Sequence, residues 1–192
     1  YQPSLGAGDL SECLTCPAGS YNEAYGVSEC TPCGAGTYDQ GTSPDSALTC
    51  TDCPQGRYAV GEGTPTLTAC TACAVGKFGI EGTGWTLEAD ACAPCEPGSY
   101  ADMQASLECT LCPAGTFQPD PESPTYSCQD CPAGKYSTLE GIGSEYDCIL
   151  CPWNTYSTTP AATSFDTCVS CPPGYLHTIE GSSSADDCEP CP

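Results

Sequence analysis

The chain has 192 residues, a net charge of −22 and 20 cysteines. Leu, Ile, Val and Phe together number 22, which excludes the apolar core of an ordinary globular domain and would by itself leave the chain disordered. With 25 acidic residues against 3 basic ones, the charge also excludes a nucleic-acid-binding protein. The cysteines reverse the expectation of disorder, because disulfides replace a core in small scaffolds of oxidising compartments.

The cysteines are arranged as a tandem repeat along the whole chain. All 20 belong to C-x-x-C pairs, which are separated by 13 to 18 residues. We therefore expect one continuous array over residues 1–192, with repeats of about 17–22 residues, no domain boundary, and truncation at both ends. The pairs begin at Cys13, Cys30, Cys50, Cys70, Cys92, Cys109, Cys128, Cys148, Cys168 and Cys188.

A short motif, C-P-x-G-x-[YF] in its commonest form, follows the second cysteine of nine pairs. The glycine position predicts a positive φ, which Gly and Asn tolerate best, and the aromatic position predicts a short extended segment. The structural residues at the glycine position are Gly19, Gly36, Gly56, Gly76, Gly98, Gly115, Gly134, Asn154 and Gly174. Those at the aromatic position are Tyr21, Tyr38, Tyr58, Phe78, Tyr100, Phe117, Tyr136 and Tyr156, with Leu176 in the last copy.

The rest of each repeat is rich in turn residues and returns to the next cysteine pair. Sequences such as EGTG at Glu81 and EGIGS at Glu140 mark these turns. An apolar residue two or three places before the next pair is expected to pack near the motif aromatic, at Leu10, Val27, Leu48, Leu67, Leu107, Tyr126, Tyr146 and Phe165. The predicted fold is small and disulfide-rich: an elongated rod of about ten irregular β-hairpin-like repeats, mostly coil with short strands and little or no helix.

The cysteines allow several pairings. Four-cysteine zinc sites would use the pairs two at a time, yet odd and even pairs have the same flanking sequence, and each site would add about two negative charges. A bond inside each C-x-x-C would leave the long loops open. An interleaved pattern, Cys13–Cys30 with Cys16–Cys33, would use all 20 cysteines.

We favour the consecutive pattern, which closes nine loops of equal design, although the sequence alone leaves the interleaved one open. It leaves Cys13 and Cys191 to pair outward, as in an array cut at both ends. Its disulfides, which also bound the repeat loops, are Cys16–Cys30, Cys33–Cys50, Cys53–Cys70, Cys73–Cys92, Cys95–Cys109, Cys112–Cys128, Cys131–Cys148, Cys151–Cys168 and Cys171–Cys188.

The string C-x-x-C-P-x-G-x-[YF] followed by C-x-x-C resembles the ephrin-receptor-like cysteine-rich repeat. It is also similar to the first, single-disulfide module of tumour-necrosis-factor-receptor cysteine-rich domains. In that module the cysteine before the motif bonds to the next cysteine along, so the resemblance supports the consecutive pattern. The crossed-disulfide module of the receptors is missing here. By resemblance, long uninterrupted arrays imply large surface proteins such as those of flagellar hairs (mastigonemes).

Few residues are candidates for chemistry. His177 is the sole histidine, so a catalytic triad has one available base, and we expect no enzyme and no cofactor. Carboxylate clusters could bind calcium, although none has a known loop spacing, and we expect no metal. Arg57, Lys77 and Lys135 share one strand position, expected to be exposed or paired with carboxylates of a neighbouring repeat or chain. The carboxylate clusters are Asp186 with Asp187, Asp120 with Glu122, and Glu88 with Asp90.

These observations predict an extracellular or cell-surface protein. No apolar run approaches the roughly 18 residues of a membrane span, so any anchor lies outside these residues. The first expectation is a structural component of a filament, hair or surface coat, associating with itself or with other extracellular structural proteins. The alternative is a ligand-binding receptor ectodomain. Ser and Thr in the turns are candidate O-glycan acceptors, and no N-x-S/T sequon occurs.

Overall fold

The computed structural model describes residues 16–22, 29–39, 50–121 and 128–192. These residues divide into two compact units, one within Tyr1–Ala93 and Met103–Leu107, the other within Pro94–Asp102 and Glu108–Pro192. The same repeat builds both units. We number the repeats one to nine by their disulfide loops, from residues 16–30 to residues 171–188, each with an opening and a closing cysteine.

Each described repeat is a two-stranded antiparallel hairpin. One strand carries the motif aromatic, and the other consists mainly of the residues between the two cysteines of the next C-x-x-C pair, so that Tyr136 lies opposite Ile149. The strands are β1 Ser20–Tyr21, β2 Thr31–Pro32, β3 Thr37–Tyr38, β4 Thr51–Asp52, β5 Arg57–Tyr58, β6 Thr71–Ala72, β7 Lys77–Gly79, β8 Cys92–Pro94, β9 Ser99–Tyr100, β10 Thr110–Leu111, β11 Thr116–Phe117, β12 Gln129–Asp130, β13 Lys135–Tyr136, β14 Ile149–Leu150, β15 Thr155–Tyr156, β16 Val169–Ser170, β17 Tyr175–Leu176 and β18 Glu189–Pro190.

Short helical turns precede the closing cysteine in several repeats. The serine three residues before Asp147, Thr167 and Asp187 accepts a backbone N–H bond through its hydroxyl, which begins a single turn that the cysteine ends. The helix α1 spans Glu88–Ala91, and the 3-10 helices span Leu67–Ala69, Glu145–Asp147, Phe165–Thr167 and Ala185–Asp187. The predicted small disulfide-rich fold, with short strands and little helix, is therefore confirmed.

The buried apolar material of the described residues is mostly cystine. Cys33, Cys53, Cys112, Cys131 and Cys151 have no exposed surface. Beyond cysteine and alanine, the buried apolar side chains are Phe117 and Ile142, and both lie in a cluster with the Cys131–Cys148 disulfide. The thin core agrees with the composition, because a chain with few large apolar residues uses disulfides in place of a core.

Candidate functional site

The nine disulfides of the structure follow the consecutive pattern. Each joins the opening and closing cysteines of one repeat over a separation of 14 to 19 residues, with Cα atoms 5.6–6.0 Å apart. Cys191 has no disulfide partner among the described residues and is exposed, while Cys13 lies outside them. The outward pairing of these two cysteines stays a prediction.

The motif forms a β-turn at the start of every described repeat. In repeat seven the Lys135 N–H donates to the Pro132 carbonyl at 3.1 Å, with Gly134 at a φ of 86° in the third turn position. A type II turn requires a positive φ there, which is why glycine recurs. Asn154 adopts a φ of 63° at the same position, as a residue tolerant of the left-handed region does.

The motif aromatic packs on the disulfide of the next repeat. Tyr38 of repeat two lies against the Cys53–Cys70 cluster, and Phe117 of repeat six is buried against Cys131 and Cys148. The prediction that the aromatic meets the apolar residue of the return arm is wrong for Tyr146, which is 94% exposed. The motif aromatic therefore packs against a disulfide, in place of the expected contact with the return arm.

One return-arm residue does contact a motif aromatic, but in the preceding repeat. Phe165 of repeat eight meets Tyr136 of repeat seven edge to face, with ring centroids 6.2 Å apart. Leu107 is also mostly exposed. The positions Leu10, Val27, Leu48 and Tyr126 lie outside the described residues.

The residue after the motif aromatic, here called the junction residue, is where successive repeats meet. In repeat seven this is Ser137, which is 1% exposed and donates its N–H to the Ala162 carbonyl of repeat eight at 2.9 Å. In repeat eight it is Ser157, whose carbonyl accepts the Gly134 N–H of repeat seven at 2.8 Å. In these two repeats a small residue fits the position because main chain from both neighbouring repeats closes over it, whereas in repeat six the larger Gln118 is fully buried there.

A second contact comes from a loop residue with positive φ, here called the docking residue. Its N–H donates to the carbonyl of the opening cysteine one repeat earlier, as Gly181 does to Cys151 at 2.8 Å. Its own carbonyl lies over the motif glycine two repeats earlier, so that a Cβ at Gly134 would lie 2.1 Å from the Gly181 oxygen. The docking residues are Gly63, Gly84, Ala105, Gly141, Ala161 and Gly181.

Sequence reasoning missed both of these positions. The E-G pairs in the turn-rich loops were the available signal, since Gly141 and Gly181 follow Glu140 and Glu180. A small residue follows most of the motif aromatics, and this was the other signal. What could not be read from the chain was that the loop reaches back over two repeats.

The three basic residues bind within their own repeats. Lys77 donates to Glu88 at 2.9 Å and Lys135 to Glu145 at 2.8 Å, with the lysine side chains 26% and 19% exposed. Arg57 donates to the Cys70 carbonyl at 2.9 Å. The expectation of an exposed position is therefore wrong for the two lysines, because the long side chain lies across the hairpin beside the segment before the closing cysteine. These bonds are made within one repeat and not to a neighbouring one, and pairing with another chain stays a prediction.

Two of the candidate carboxylates, Asp187 and Glu88, bind protein groups. Asp187 accepts from the Ser182 hydroxyl at 2.5 Å and from the Ser184 N–H at 3.2 Å, and these bonds, led by that of Ser182, lower the pKa of the Asp187 carboxyl. His177 Nδ1 lies 2.7 Å from the Asp187 carbonyl. Over the four described ranges, no group of three or more His, Cys, Asp and Glu side chains forms a metal site. Glu122 lies outside those ranges.

Tandem single-disulfide hairpins linked through main-chain bonds define a small disulfide-rich repeat protein. The family model described as "Tyrosine-protein kinase ephrin type A/B receptor-like" matches residues 4–46, 82–127, 122–168 and 140–188. The chain belongs to this ephrin-receptor-like family, which confirms the resemblance. Such disulfide-rich repeats imply an extracellular or cell-surface domain and are typically non-enzymatic.

A human protein, "Endosome/lysosome-associated apoptosis and autophagy regulator 1", is 50% identical over 38 residues. That segment is 20% of this chain and 4% of the relative, so the chain spans a small part of the relative's length. Across the described ranges, no helix combines the length and the apolarity that a membrane crossing demands.

Proposed function

We propose that this chain is a structural component of an extracellular filament, hair or surface coat. In this role it is a disulfide-stapled array that assembles with itself or holds other structural proteins at fixed spacing. It is not an enzyme in this proposal, and it acts without a cofactor. The observation that carries the proposal is the pair of main-chain contacts that recurs at the six described docking residues, from one repeat to the repeat before it and to the second before it.

These contacts suit a structural role because they depend little on side-chain identity. The junction N–H, the docking N–H and the opening-cysteine carbonyl are all backbone groups, as in the Ser157–Ser182 and Gly181–Cys151 bonds. Each disulfide removes about 3 kcal/mol of chain entropy from the unfolded state of its loop. A chain built in this way keeps its repeats in place while the outward side chains vary.

The outward side chains supply surface for association. In the unit that contains residues 108–192, large apolar side chains are well exposed, among them Tyr146, Trp153 and Val169 at 94%, 67% and 52%. Exposed apolar groups of this size favour contact with another protein surface. The charge of −22 opposes association between copies, so we expect assembly to strengthen as salt screens the carboxylates.

A second candidate function is a ligand-binding ectodomain of a receptor. The observation that favours it is the match to a family described by its likeness to ephrin receptors. In this case the exposed apolar residues would contact a separate ligand. The two candidates differ in what binds the surface, either further copies and structural partners or one soluble ligand.

Electron microscopy of the native material tests the choice. Regular polymers that contain this chain in their lattice would support the structural proposal. Isolated molecules, each carrying a different bound protein, would contradict it and support the receptor. Sedimentation of the purified chain in low and high salt gives the matched solution measurement, with concentration-dependent growth at high salt expected for the structural role.

A further inference from the structure

We propose that Asn154 is a stacking stop: its side chain occupies the place in which the docking residue of another repeat would lie. Eight of the nine motif copies carry glycine at this position, and Asn154 alone brings a side chain there. The proposal goes beyond the structural function above, because it assigns one residue the task of blocking a docking contact at its own position.

The first argument is steric. At five of the six motif glycines that lie under a described docking residue, an added Cβ would lie 2.0–2.4 Å from the docking carbonyl oxygen, and at Gly56, under Ala105, it would lie 3.0 Å away. Real Cβ atoms do not approach a backbone atom as closely as at those five, so those positions cannot hold a side chain while the docking residue keeps its place. Asn154 has such a side chain, and it therefore excludes a docking residue.

The second argument is the hydrogen bond that the side chain makes. In six earlier repeats the junction N–H donates to the carbonyl after a docking residue, as Ser157 does to Ser182 at 3.0 Å. In repeat nine the junction residue is His177, and its N–H donates instead to the Asn154 Oδ1 at 2.9 Å. The Asn154 N–H donates in return to the His177 carbonyl at 3.1 Å. The amide side chain thus replaces the carbonyl that a further repeat would bring.

The replacement explains why asparagine occupies this position. The position needs a positive φ, which asparagine adopts more readily than other residues except glycine. It also needs a side chain that carries a hydrogen-bond acceptor within reach of the junction N–H. Asn154 meets both needs, with a φ of 63° and the bond to His177.

A pair of glycine-to-asparagine variants tests the steric argument. In Gly134→Asn the new side chain should displace the docking residue Gly181, while Ser157 keeps an acceptor in the new amide. In Gly174→Asn, the matched control, no heavy atom of the described chain lies within 4 Å of the new Cβ. Hydrogen exchange should show about tenfold lower protection of the Gly181 amide in the first variant and no change in the second.

Replacement of Asn154 tests the hydrogen bond. The Asn154→Gly variant should lower protection of the His177 amide about tenfold, whereas Asn154→Asp, which retains an acceptor, should preserve it. A general loosening of the hairpin would lower the protection of the Tyr175 amide equally and would contradict a specific bond. Unchanged His177 protection in Asn154→Gly would also overturn the proposal.

A lengthened chain tests the stop itself. A copy of residues 173–192 is joined after Pro192, so that Cys191 opens a tenth repeat with its own docking glycine. That added glycine should show slow amide exchange when residue 154 is Gly and fast exchange when it is Asn. Equal protection in the two backgrounds would overturn the proposal, and if the added repeat folds in neither, the Gly134→Asn result decides.

Discussion

At the residue scale, a few backbone positions decide the geometry of each repeat. The motif glycine turns the chain under the docking residue, and the docking residue itself needs a positive φ. Two docking residues are alanine, Ala105 and Ala161, with φ values of 57° and 52°. A left-handed conformation at alanine costs about 1–2 kcal/mol, so these two positions hold strain that the glycine repeats avoid.

We therefore expect Ala161→Gly to stabilise the protein. Relief of the left-handed alanine should outweigh the added freedom of the unfolded chain and raise the free energy of unfolding by about 0.5–1 kcal/mol. The reverse change, Gly181→Ala, should lower it by at least about 1 kcal/mol, since its Cβ would lie 2.5 Å from Leu150 Cδ2. Denaturant unfolding without reductant measures both, and a loss of stability in Ala161→Gly would contradict the argument.

The Asp187 carboxyl gives a prediction of pH dependence. Its pKa is lowered from 3.8 in the folded chain, first by the Ser182 hydroxyl. The stability that it contributes is therefore fully present above 3.8 and is lost as the pH falls through the lower, folded pKa. NMR titration should place the midpoint below 3.8 in the parent chain, and Ser182→Ala should raise it; an unmoved midpoint would show that Ser182 is not the cause.

At the element scale, each hairpin depends on the aromatic residue of the repeat before it. The ring of Phe117 is 7% exposed and covers the Cys131–Cys148 disulfide together with Ile142. Two-stranded hairpins are marginal alone in water, so the disulfide and the covering ring supply what the four strand residues cannot. Each such hairpin is thus stabilised by residues of two neighbouring repeats.

Removal of the Phe117 ring should destabilise the protein strongly, although Phe117 lies in a strand of only two residues. We expect Phe117→Ala to lower the free energy of unfolding by about 3 kcal/mol, because a buried aromatic is lost and the cluster cannot close over the space. Tyr146→Ala is the matched control, since that ring lies in the next repeat and is 94% exposed; it should change stability by less than about 0.5 kcal/mol. Similar losses in the two variants would refute the assignment.

At the scale of the whole molecule, the contacts between repeats determine how far a change in one repeat affects the others. A docking residue reaches the opening cysteine one repeat back and the motif glycine two repeats back, and the described residues show this pattern in each unit separately. Damage at one repeat should therefore spread over two repeats and then stop, as expected for quasi-one-dimensional proteins.

Loss of one disulfide measures that range. We expect Cys151→Ser with Cys168→Ser to remove about 3 kcal/mol locally and to lower the amide protection of Gly134 and Gly181, which donate to the Ser157 and Cys151 carbonyls of repeat eight. The Gly79 amide, bonded to Ser106 within repeats four and five, lies more than two repeats away and should keep its protection. Hydrogen exchange read by mass spectrometry follows all three amides, and loss of protection at Gly79 would indicate global rather than short-range cooperativity.

The sequence by itself determined the repeat, the positive φ at the motif glycine, the disulfide-rich class and the family. Each of these depends on the local spacing of residues or on composition. A glycine three residues after a cysteine favours the β-turn of the motif, and 20 cysteines in a chain with little apolar material are expected to form disulfides. The choice between consecutive and interleaved disulfides was favoured but not settled by that spacing.

Tertiary structure alone decided which parts of different repeats meet. Tyr146 points to solvent although it is apolar and well placed, and Phe117 packs on the following disulfide rather than in its own loop. In the sequence, Asn154 is only a replacement for the motif glycine. Its proposed role depends on the structure, in which the Gly181 carbonyl lies over the equivalent residue Gly134 and Asn154 instead bonds to His177. The physical reason is that a contact across two repeats depends on the return path of the backbone, which local spacing does not encode.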